Sequence, residues 1–301
     1  MKPQRFLNHS QIDVYFKQSK DDFVVNEVPL YEFSNEGEHL ILKLRKKDLA
    51  TWDAIEILAN YLKCSTREFG YAGLKDKNAM TVQHISIHRK YEDALKSFTH
   101  ENIKILETTY HNNKIKIGHL KGNNFFIRLK RVGLVEKQKI EEAFSKIAVF
   151  GMPNYFGFQR FGIDGENYKK GKQIVEGTLK ERNRNLKQMF INAYQSYLFN
   201  SWLSKRIEIS KLIEAFEPKE IFEKLNLPLD EVKRAKKQPH PFKILNGDLL
   251  SHYPFGKIFI IDDLETESQK FFEKDRVPTG LLCGKRVKKS EGLSYEIEKD
   301  F

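Results

Sequence analysis

Alternating apolar and polar positions mark several strands in the first part of the chain. Residues 23–28 form a short run of strand-forming residue types. Two further runs have the period of two that a half-buried strand produces. Their apolar positions are Leu40, Leu42 and Leu44 in one run, and Ile85 and Ile87 in the other. The pattern predicts a strand at each of these places.

Helical spacing appears between these strands. Trp52, Ile55, Ala59 and Leu62 recur at intervals of three and four residues, which predicts a helix over 51–63. Ser65 is followed three residues later by Glu68, the spacing of a capping box, so another helical turn is expected there.

The next segment predicts a hairpin. Residues 115–117 are expected to begin a strand, and Phe125, Ile127 and Leu129 would line one face of the following strand. The residues 122–124, Gly-Asn-Asn, suit the connection between them because Gly and Asn tolerate positive φ.

The rest of the chain is mainly helical in pattern. We predict a helix around 140–147 that ends near Gly151, a long helix through 186–198, helices within 210–245 and a strand over 257–262. Helices do not follow every strand, so we expect an α+β protein with a mixed, mainly antiparallel sheet. A change of composition near residue 160 divides it into predicted domains 1–160 and 161–301.

Composition narrows the choice of partner. Lys and Arg number 52 against 41 Asp and Glu, which leaves a net charge of +11 and favours a polyanion such as RNA. Cys64 and Cys283 are too few for a disulfide framework or a zinc site, so we expect a reducing, cytoplasmic setting. The sequence has no apolar run of membrane-spanning length and no signal-peptide pattern at its start, so we expect no membrane partner.

The most informative segment is 73–83, in which Asp76 stands between Lys75 and Lys77 after a glycine turn. One interpretation is a local turn that Asp76 caps. The other is a reactive carboxylate at the edge of a sheet, ionised at neutral pH. Lys75 follows two glycines as in a phosphate-binding loop, although the Walker spacing is not met. We take Lys75 as a candidate substrate-binding residue.

Aromatic residues supply candidates for holding a nucleobase. Enzymes that act on a base in folded RNA hold it by stacking and by hydrogen bonds to its edge. Phe23, Phe125 and Phe126 are candidates for stacking, and the Asn123 amide could pair with a pyrimidine edge. Each of these phenylalanines could equally be a core residue.

The aromatic segment 154–162 has two interpretations. It could form an RNA-binding surface. It could also pack a domain junction with Arg160 stacked on a ring, which we favour. The nine histidines include no H-E-x-x-H motif, so no metal is expected.

Three segments, 73–83, 122–125 and 153–162, together resemble the TruD family of tRNA pseudouridine synthases. The resemblance also covers 22–27 and the helix 192–200, and it becomes weaker after about residue 200. It implies isomerisation of a tRNA uridine, uridine-13 in the usual substrate, without a cofactor. It implies a pseudouridine synthase catalytic domain and a family-specific α/β insertion domain.

Carried over to this chain, the resemblance makes Asp76 the catalytic carboxylate and places Phe23, Asn123 and Phe125 at the target uridine. It also implies that family members continue past Phe301, with strands that return to the catalytic sheet, so we expect that segment to be missing here. We expect a monomer. The alternative to an enzyme is a non-catalytic tRNA-binding or chaperone module, which would not need Asp76.

Overall fold

The computed structural model describes residues 3–254, 256–284 and 287–301. The chain forms two compact units. One consists of Gln11–Gln138, and the other combines the N-terminal residues up to Ser10 with Lys139–Phe301. The boundary between the two units therefore lies between Gln138 and Lys139, before the predicted boundary near residue 160. The assignment of 161–301 to an insertion domain stays a prediction.

The first unit is built on a mixed sheet. Its strands are β1 (Phe23–Pro29), β2 (His39–Lys47), β3 (Gly70–Tyr71), β4 (Met80–His88), β5 (Ile103–His111) and β6 (Leu120–Ile127). Their order is β5-β2-β4-β1-β6, with β3 paired to β4. Strands β1 and β4 run parallel, while the other pairings of this sheet are antiparallel. The predicted α+β class with a mainly antiparallel sheet is confirmed.

Helix α1 (Thr51–Leu62) covers one face of this sheet, as its apolar spacing predicts. Ala54, Ile55 and Leu58 are fully buried against Leu44 and Ile85. Truncating a buried leucine of this kind to alanine costs about 2–5 kcal/mol. The helix ends at Lys63, which adopts the left-handed conformation with φ 52°. A short 3-10 helix, Thr66–Glu68, follows, and the Ser65 hydroxyl accepts a hydrogen bond from the Arg67 amide, as expected of a cap. Helix α2 (Glu92–Leu95) lies between β4 and β5.

The predicted hairpin around residue 122 is wrong. Residues 122–124 lie inside β6, and 115–117 belong to a loop instead of a strand. The Ile115 amide donates to the Ser86 hydroxyl, and its carbonyl oxygen lies so close to Gly70 that a Cβ there would be 2.3 Å from it. This close approach, which only glycine permits, takes the backbone of the loop out of strand pairing. The strand that precedes the loop, β5, was missed because only its first residue is buried, so it lacks the regular buried positions of a core strand.

The second unit is mainly helical. Its helices are α3 (Leu134–Phe150, which begins in the first unit), α4 (Asn167–Val175), α5 (Arg184–Ala215), α6 (Pro218–Leu225), α7 (Leu229–Lys236), α8 (Leu264–Phe272) and α9 (Gly292–Glu298). Strand β7 (Leu249–His252) pairs with both β8 (Ile258–Ile260) and β9 (Arg276–Pro278). The helices predicted around 140–147, through 186–198 and within 210–245, and the strand near 258, are confirmed. Arg206 and Asp248 form a buried two-point ion pair in this unit, with N···O distances of 2.6 and 2.8 Å.

Candidate active site

The loop that carries Asp76, residues 73–79, joins β3 to the start of β4, and the Asp76 side chain is half-buried. The backbone before it is held by α1. The Lys75 amide donates to the Thr51 hydroxyl at 2.9 Å, and that hydroxyl donates to the Gln83 side-chain oxygen at 3.0 Å. Thr51 and Gln83 are both buried. The first turn of the helix and the middle of β4 therefore restrain the position of Asp76.

A buried lysine contacts the same loop from β2. Lys46 is completely buried, and its ammonium donates to the main-chain oxygens of Asp76 at 3.1 Å and Leu49 at 2.5 Å. Burial lowers the pKa of Lys46 to about 8, an effect that the nearby Asp76 carboxylate partly opposes. A buried lysine therefore anchors the main chain of Asp76.

A second buried lysine is paired with a buried glutamate. Lys75 Nζ lies 2.7 Å from Glu27 Oε2, and the two side chains are 4% and 1% exposed. The other carboxylate oxygen of Glu27 accepts the His84 amide at 2.9 Å and lies 3.4 Å from His84 Nδ1. Burial raises the pKa of Glu27, but the hydrogen bond from His84 and the contact with Lys75 outweigh it, so the pKa lies below its usual value. Glu27 is therefore an ionised partner of Lys75.

The pairing of β1 with β6 brings together three of the predicted site residues. Val25 lies opposite Phe125, and Glu27 lies opposite Asn123, and residues paired in this way share a face of the sheet. The Phe23 and Phe125 rings are stacked with centroids 5.9 Å apart and planes at 19°. Phe125 is nevertheless 59% exposed. The face therefore presents an aromatic surface on which a base could stack.

The same face carries an unpaired acceptor. The Asn123 side-chain oxygen is buried and has no hydrogen-bond partner within the described residues. Thr81 lies on this face as well, because it pairs with Val25 on one side and with Lys46 on the other. Buried polar atoms without a partner are uncommon in folded proteins, and a ligand is one way to satisfy them. Asn123 is thus suited to receive a donor from a bound base.

Two further sequence candidates have contacts within the protein. Phe126 alternates to the opposite face of β6, where the Arg128 guanidinium lies 5.9 Å from its ring centroid. Lys75 forms an ion pair with Glu27, which lies opposite Asn123, and its predicted contact with the substrate stays a prediction.

The aromatic segment 154–162 packs within the second unit. The Asn200 side chain of α5 bonds both the amide and the carbonyl of Phe156 at 2.9 Å, and the Phe156 ring meets Phe199 edge-on at 5.3 Å. The Arg160 guanidinium lies 5.3 Å from the Phe156 ring centroid, so the predicted stacking of this arginine is confirmed. Phe158 is 92% exposed.

Sequence reasoning missed Lys46, Glu27 and Thr51. One signal was present for Lys46, because it continues the apolar series 40, 42, 44 of β2 and so occupies a position where burial is expected. Glu27 and Thr51 had no such signal, since their partners are far away in the sequence. Across 3–254, 256–284 and 287–301, no cluster of three His, Cys, Asp or Glu residues could hold a metal ion. No helix of those ranges combines the length and the apolar character needed to cross a bilayer.

Comparison with known proteins identifies the family of this chain. The family described as tRNA pseudouridine synthase D (TruD) matches residues 4–182 and 166–301. The tRNA pseudouridine synthase D of Sulfurimonas denitrificans is 55% identical over 295 residues, which cover 98% of this chain and 83% of that protein. The protein of the same name from Nitratiruptor sp. is 55% identical over 296 residues, or 98% and 82% of the two chains.

The TruD structure from Methanosarcina mazei has the same fold, with a TM-score of 0.67 at 22% identity over 98% of this chain and 79% of that one. Together with the sequence matches, these results show that the chain belongs to the TruD family of tRNA pseudouridine synthases.

Proposed function

We propose that this chain isomerises a uridine of tRNA, uridine-13 in the usual family substrate, to pseudouridine, with Asp76 as the catalytic carboxylate. The observation that carries the proposal is the position of Asp76. Asp76 is half-exposed and directly follows buried Lys75 in the chain. The ammonium of buried Lys46 donates a hydrogen bond to the main-chain oxygen of Asp76. The loop leads into β4, whose Thr81 shares a face with Phe125.

The reaction rearranges bonds without a change of oxidation state. The bond from uracil N1 to ribose C1′ breaks, the uracil turns, and C5 joins C1′. The proton leaves C5 and N1 ends with a proton, so the atoms of substrate and product balance. Asp76 could attack covalently or take a proton from the ribose, and both routes need its ionised form. The Lys46 ammonium holds the main chain of Asp76, which gives this lysine a role in either route.

The detached uracil must be held while it turns. The Asn123 oxygen can accept from uracil N3–H while its amide nitrogen donates to O4, and Phe125 can stack on the ring. The Phe23 ring stacks on that of Phe125. We propose that Lys75 holds the loop through Glu27, in place of a direct contact with substrate.

The decisive experiment replaces Asp76 by Asn, which keeps the size of the side chain but can neither attack nor accept the proton. Carbodiimide labelling of tRNA under single-turnover conditions measures pseudouridine directly. We expect no detectable product, with tRNA binding within about threefold of wild type. Activity within tenfold of wild type would remove Asp76 from the chemistry.

The alternative, a non-catalytic tRNA-binding module, makes a different prediction for the same assay. Wild-type protein would bind tRNA and yield no pseudouridine at any enzyme concentration. We further propose that the chain acts as a monomer in the cytoplasm. Light scattering of the purified protein checks the first point, and fractionation of cells checks the second.

A further inference from the structure

A third aromatic ring extends the pair formed by Phe23 and Phe125. The ring of Phe16, which precedes β1, meets that of Phe23 edge-on, with centroids 6.3 Å apart and planes at 76°. The Phe23 ring stacks in turn on that of Phe125, with centroids 5.9 Å apart. All three residues belong to the first unit. They form one continuous aromatic row, which begins at the proposed uridine site and ends at Phe16.

The main chain holds Phe16 beside β6. The Tyr15 amide donates to the carbonyl oxygen of Lys130 at 2.9 Å, and the Lys130 amide donates to that of Tyr15 at 2.8 Å. These bonds lie just beyond the antiparallel pairing of β1 with β6. Phe16 therefore has a defined position next to the end of β6 that carries Phe125.

Both ends of the aromatic row are open to solvent. The Phe16 side chain is 42% exposed and that of Phe125 is 59% exposed, while Phe23 between them is half-buried. Exposed apolar surface that is contiguous marks binding sites more often than scattered exposed residues do. An aromatic ring offers its face to any of the four bases, because every base has a π-face.

The surroundings of Phe16 are positively charged. The Asp22 carboxylate lies 2.5 Å from Lys130 Nζ and 3.8 Å from the Arg128 guanidinium, so one acid faces two cations. The Arg131 guanidinium lies 5.3 Å from the Tyr15 ring centroid and adds a third cation. Proteins that bind single-stranded nucleic acid combine positive charge with stacking aromatic rings in this way.

Flipping of the target uridine creates a need for such a ring. When a base leaves its stack, the bases on either side lose a stacking partner, and the cost of this unstacking opposes binding. In the proposed function the uracil stacks on Phe125. The Phe16 ring lies on the other contact of Phe23, so it is available to a different base.

We propose that Phe16 stacks on a base next to the target uridine and so binds tRNA in the conformation from which the target is flipped out. The inference rests on the proposed function. Phe16 is a positioning residue in this scheme, because it touches a neighbouring nucleotide and none of the reacting atoms. Stacking of this kind tolerates any base identity, so the contact favours the flipped conformation without reading the sequence.

The test combines Phe16→Ala with the removal of single bases from the RNA. Dissociation constants are measured for intact unmodified tRNA and for transcripts that carry one abasic nucleotide at each of the nearest positions on either side of uridine-13. Phe16→Ala should weaken binding of intact tRNA by about 5- to 150-fold. At one of the abasic positions, wild type and Phe16→Ala should bind equally, because the base that Phe16 would contact is gone.

Tyr15→Ala is the matched control. Tyr15 is 44% exposed and adjacent in sequence, but its ring contacts Arg131 instead of the aromatic row. This variant should change the binding of intact and abasic transcripts by the same factor. Phe16→Tyr, which keeps an aromatic face, should bind all transcripts as the wild type does.

The abasic transcripts also separate stacking from a structural role. If Phe16 only supports Phe23, Phe16→Ala weakens binding by the same factor for every transcript, and that result overturns the proposal. Unchanged binding of intact tRNA by Phe16→Ala overturns it as well. If Phe16→Ala does not fold, Phe16→Leu, which keeps apolar bulk but has no aromatic face, is measured with the same transcripts and must show the same loss at one position.

The two proposals fail in different ways. A wild-type protein that binds tRNA without forming pseudouridine refutes the proposed function, and the binding measurements still decide whether Phe16 stacks on a base beside uridine-13. A protein that forms pseudouridine normally, with a Phe16→Ala effect that no abasic position removes, refutes only the role of Phe16.

Discussion

Glu27 of β1 and Lys75 of the Asp76 loop form an ion pair of 2.7 Å in which both side chains are almost completely buried. The pair joins two segments that are distant in sequence, and one of its members is the residue before the proposed catalytic carboxylate. Because α1 holds the Lys75 backbone through Thr51, the loop is restrained from two sides. Asp76 thus gains a defined position even though its own side chain is half-exposed.

Breaking the Glu27–Lys75 pair should release the Asp76 loop from its contact with β1. Glu27→Gln or Lys75→Met alone leaves a buried charge without its partner, which costs about 3–5 kcal/mol of unfolding free energy. The double variant should recover part of that loss. Urea unfolding of the wild type, the two single variants and the double variant measures the coupling energy between Glu27 and Lys75. Lys43→Met breaks a more exposed ion pair and is the control, with an expected cost below about 1 kcal/mol.

In the same variants we expect the single-turnover rate to fall at least tenfold with the half-saturating tRNA concentration nearly unchanged. A purely structural pair would leave the rate of the folded fraction at its wild-type value. Additive single-variant costs would show that Glu27 and Lys75 do not act together.

Lys46 should give activity and stability opposite pH dependences. Its pKa in the folded protein is about 8, below the value of about 10.4 in an unfolded chain. Between these values the unfolded state binds more protons, so the contribution of Lys46 to stability rises with pH. Activity should fall about tenfold per pH unit above about 8 as the cation beside Asp76 is lost.

Single-turnover rates and urea unfolding between pH 6.5 and about 9.5 measure both trends. Lys46→Met should be slow throughout and lack the alkaline fall, because it has no proton to lose. A wild-type alkaline fall that persists in Lys46→Met would assign the titration to another group, in the protein or in the RNA.

Phe125→Ala should impair turnover far more than stability. Phe125 is 59% exposed, so its truncation removes little buried surface, while base–aromatic stacking contributes roughly 1–3 kcal/mol. That range corresponds to a loss of about 5- to 150-fold in turnover of tRNA. Phe126→Ala is the matched control, 50% exposed on the opposite face of the same strand. Equal losses in the two variants, or unfolding of Phe125→Ala like a core truncation, would make Phe125 a packing residue.

Asn123→Ala should lose activity without loss of stability. The Asn123 oxygen has no partner in the described residues, so removing it eliminates a buried unsatisfied group and keeps or raises the melting temperature. Loss of the hydrogen bonds to the uracil should lower single-turnover activity by about tenfold or more. Asn124→Ala, on the other face of β6, should match the wild type in both measurements. A stability loss in Asn123→Ala with intact activity would contradict the assigned role.

The amino-acid sequence by itself determined the local elements and the reactive group. The period-two runs predicted β2 and β4, helical spacing predicted α1 and the long α5, and the motif around Asp76 identified the family. These features depend on neighbours within a few residues, so the sequence contains them directly. Phe125 was expected in a strand, and β6 places it on one face with Asn123.

The tertiary structure alone decided what surrounds Asp76. Glu27 meets Lys75 because β1 pairs in parallel with β4, a contact between segments separated by dozens of residues that periodicity does not encode. Gly122-Asn123-Asn124 continue a strand because pairing with β1 satisfies their backbone groups and overrides their preference for turns. Lys46 is buried because the carbonyls of Leu49 and Asp76 bind its ammonium, and that compensation exists only in the folded chain.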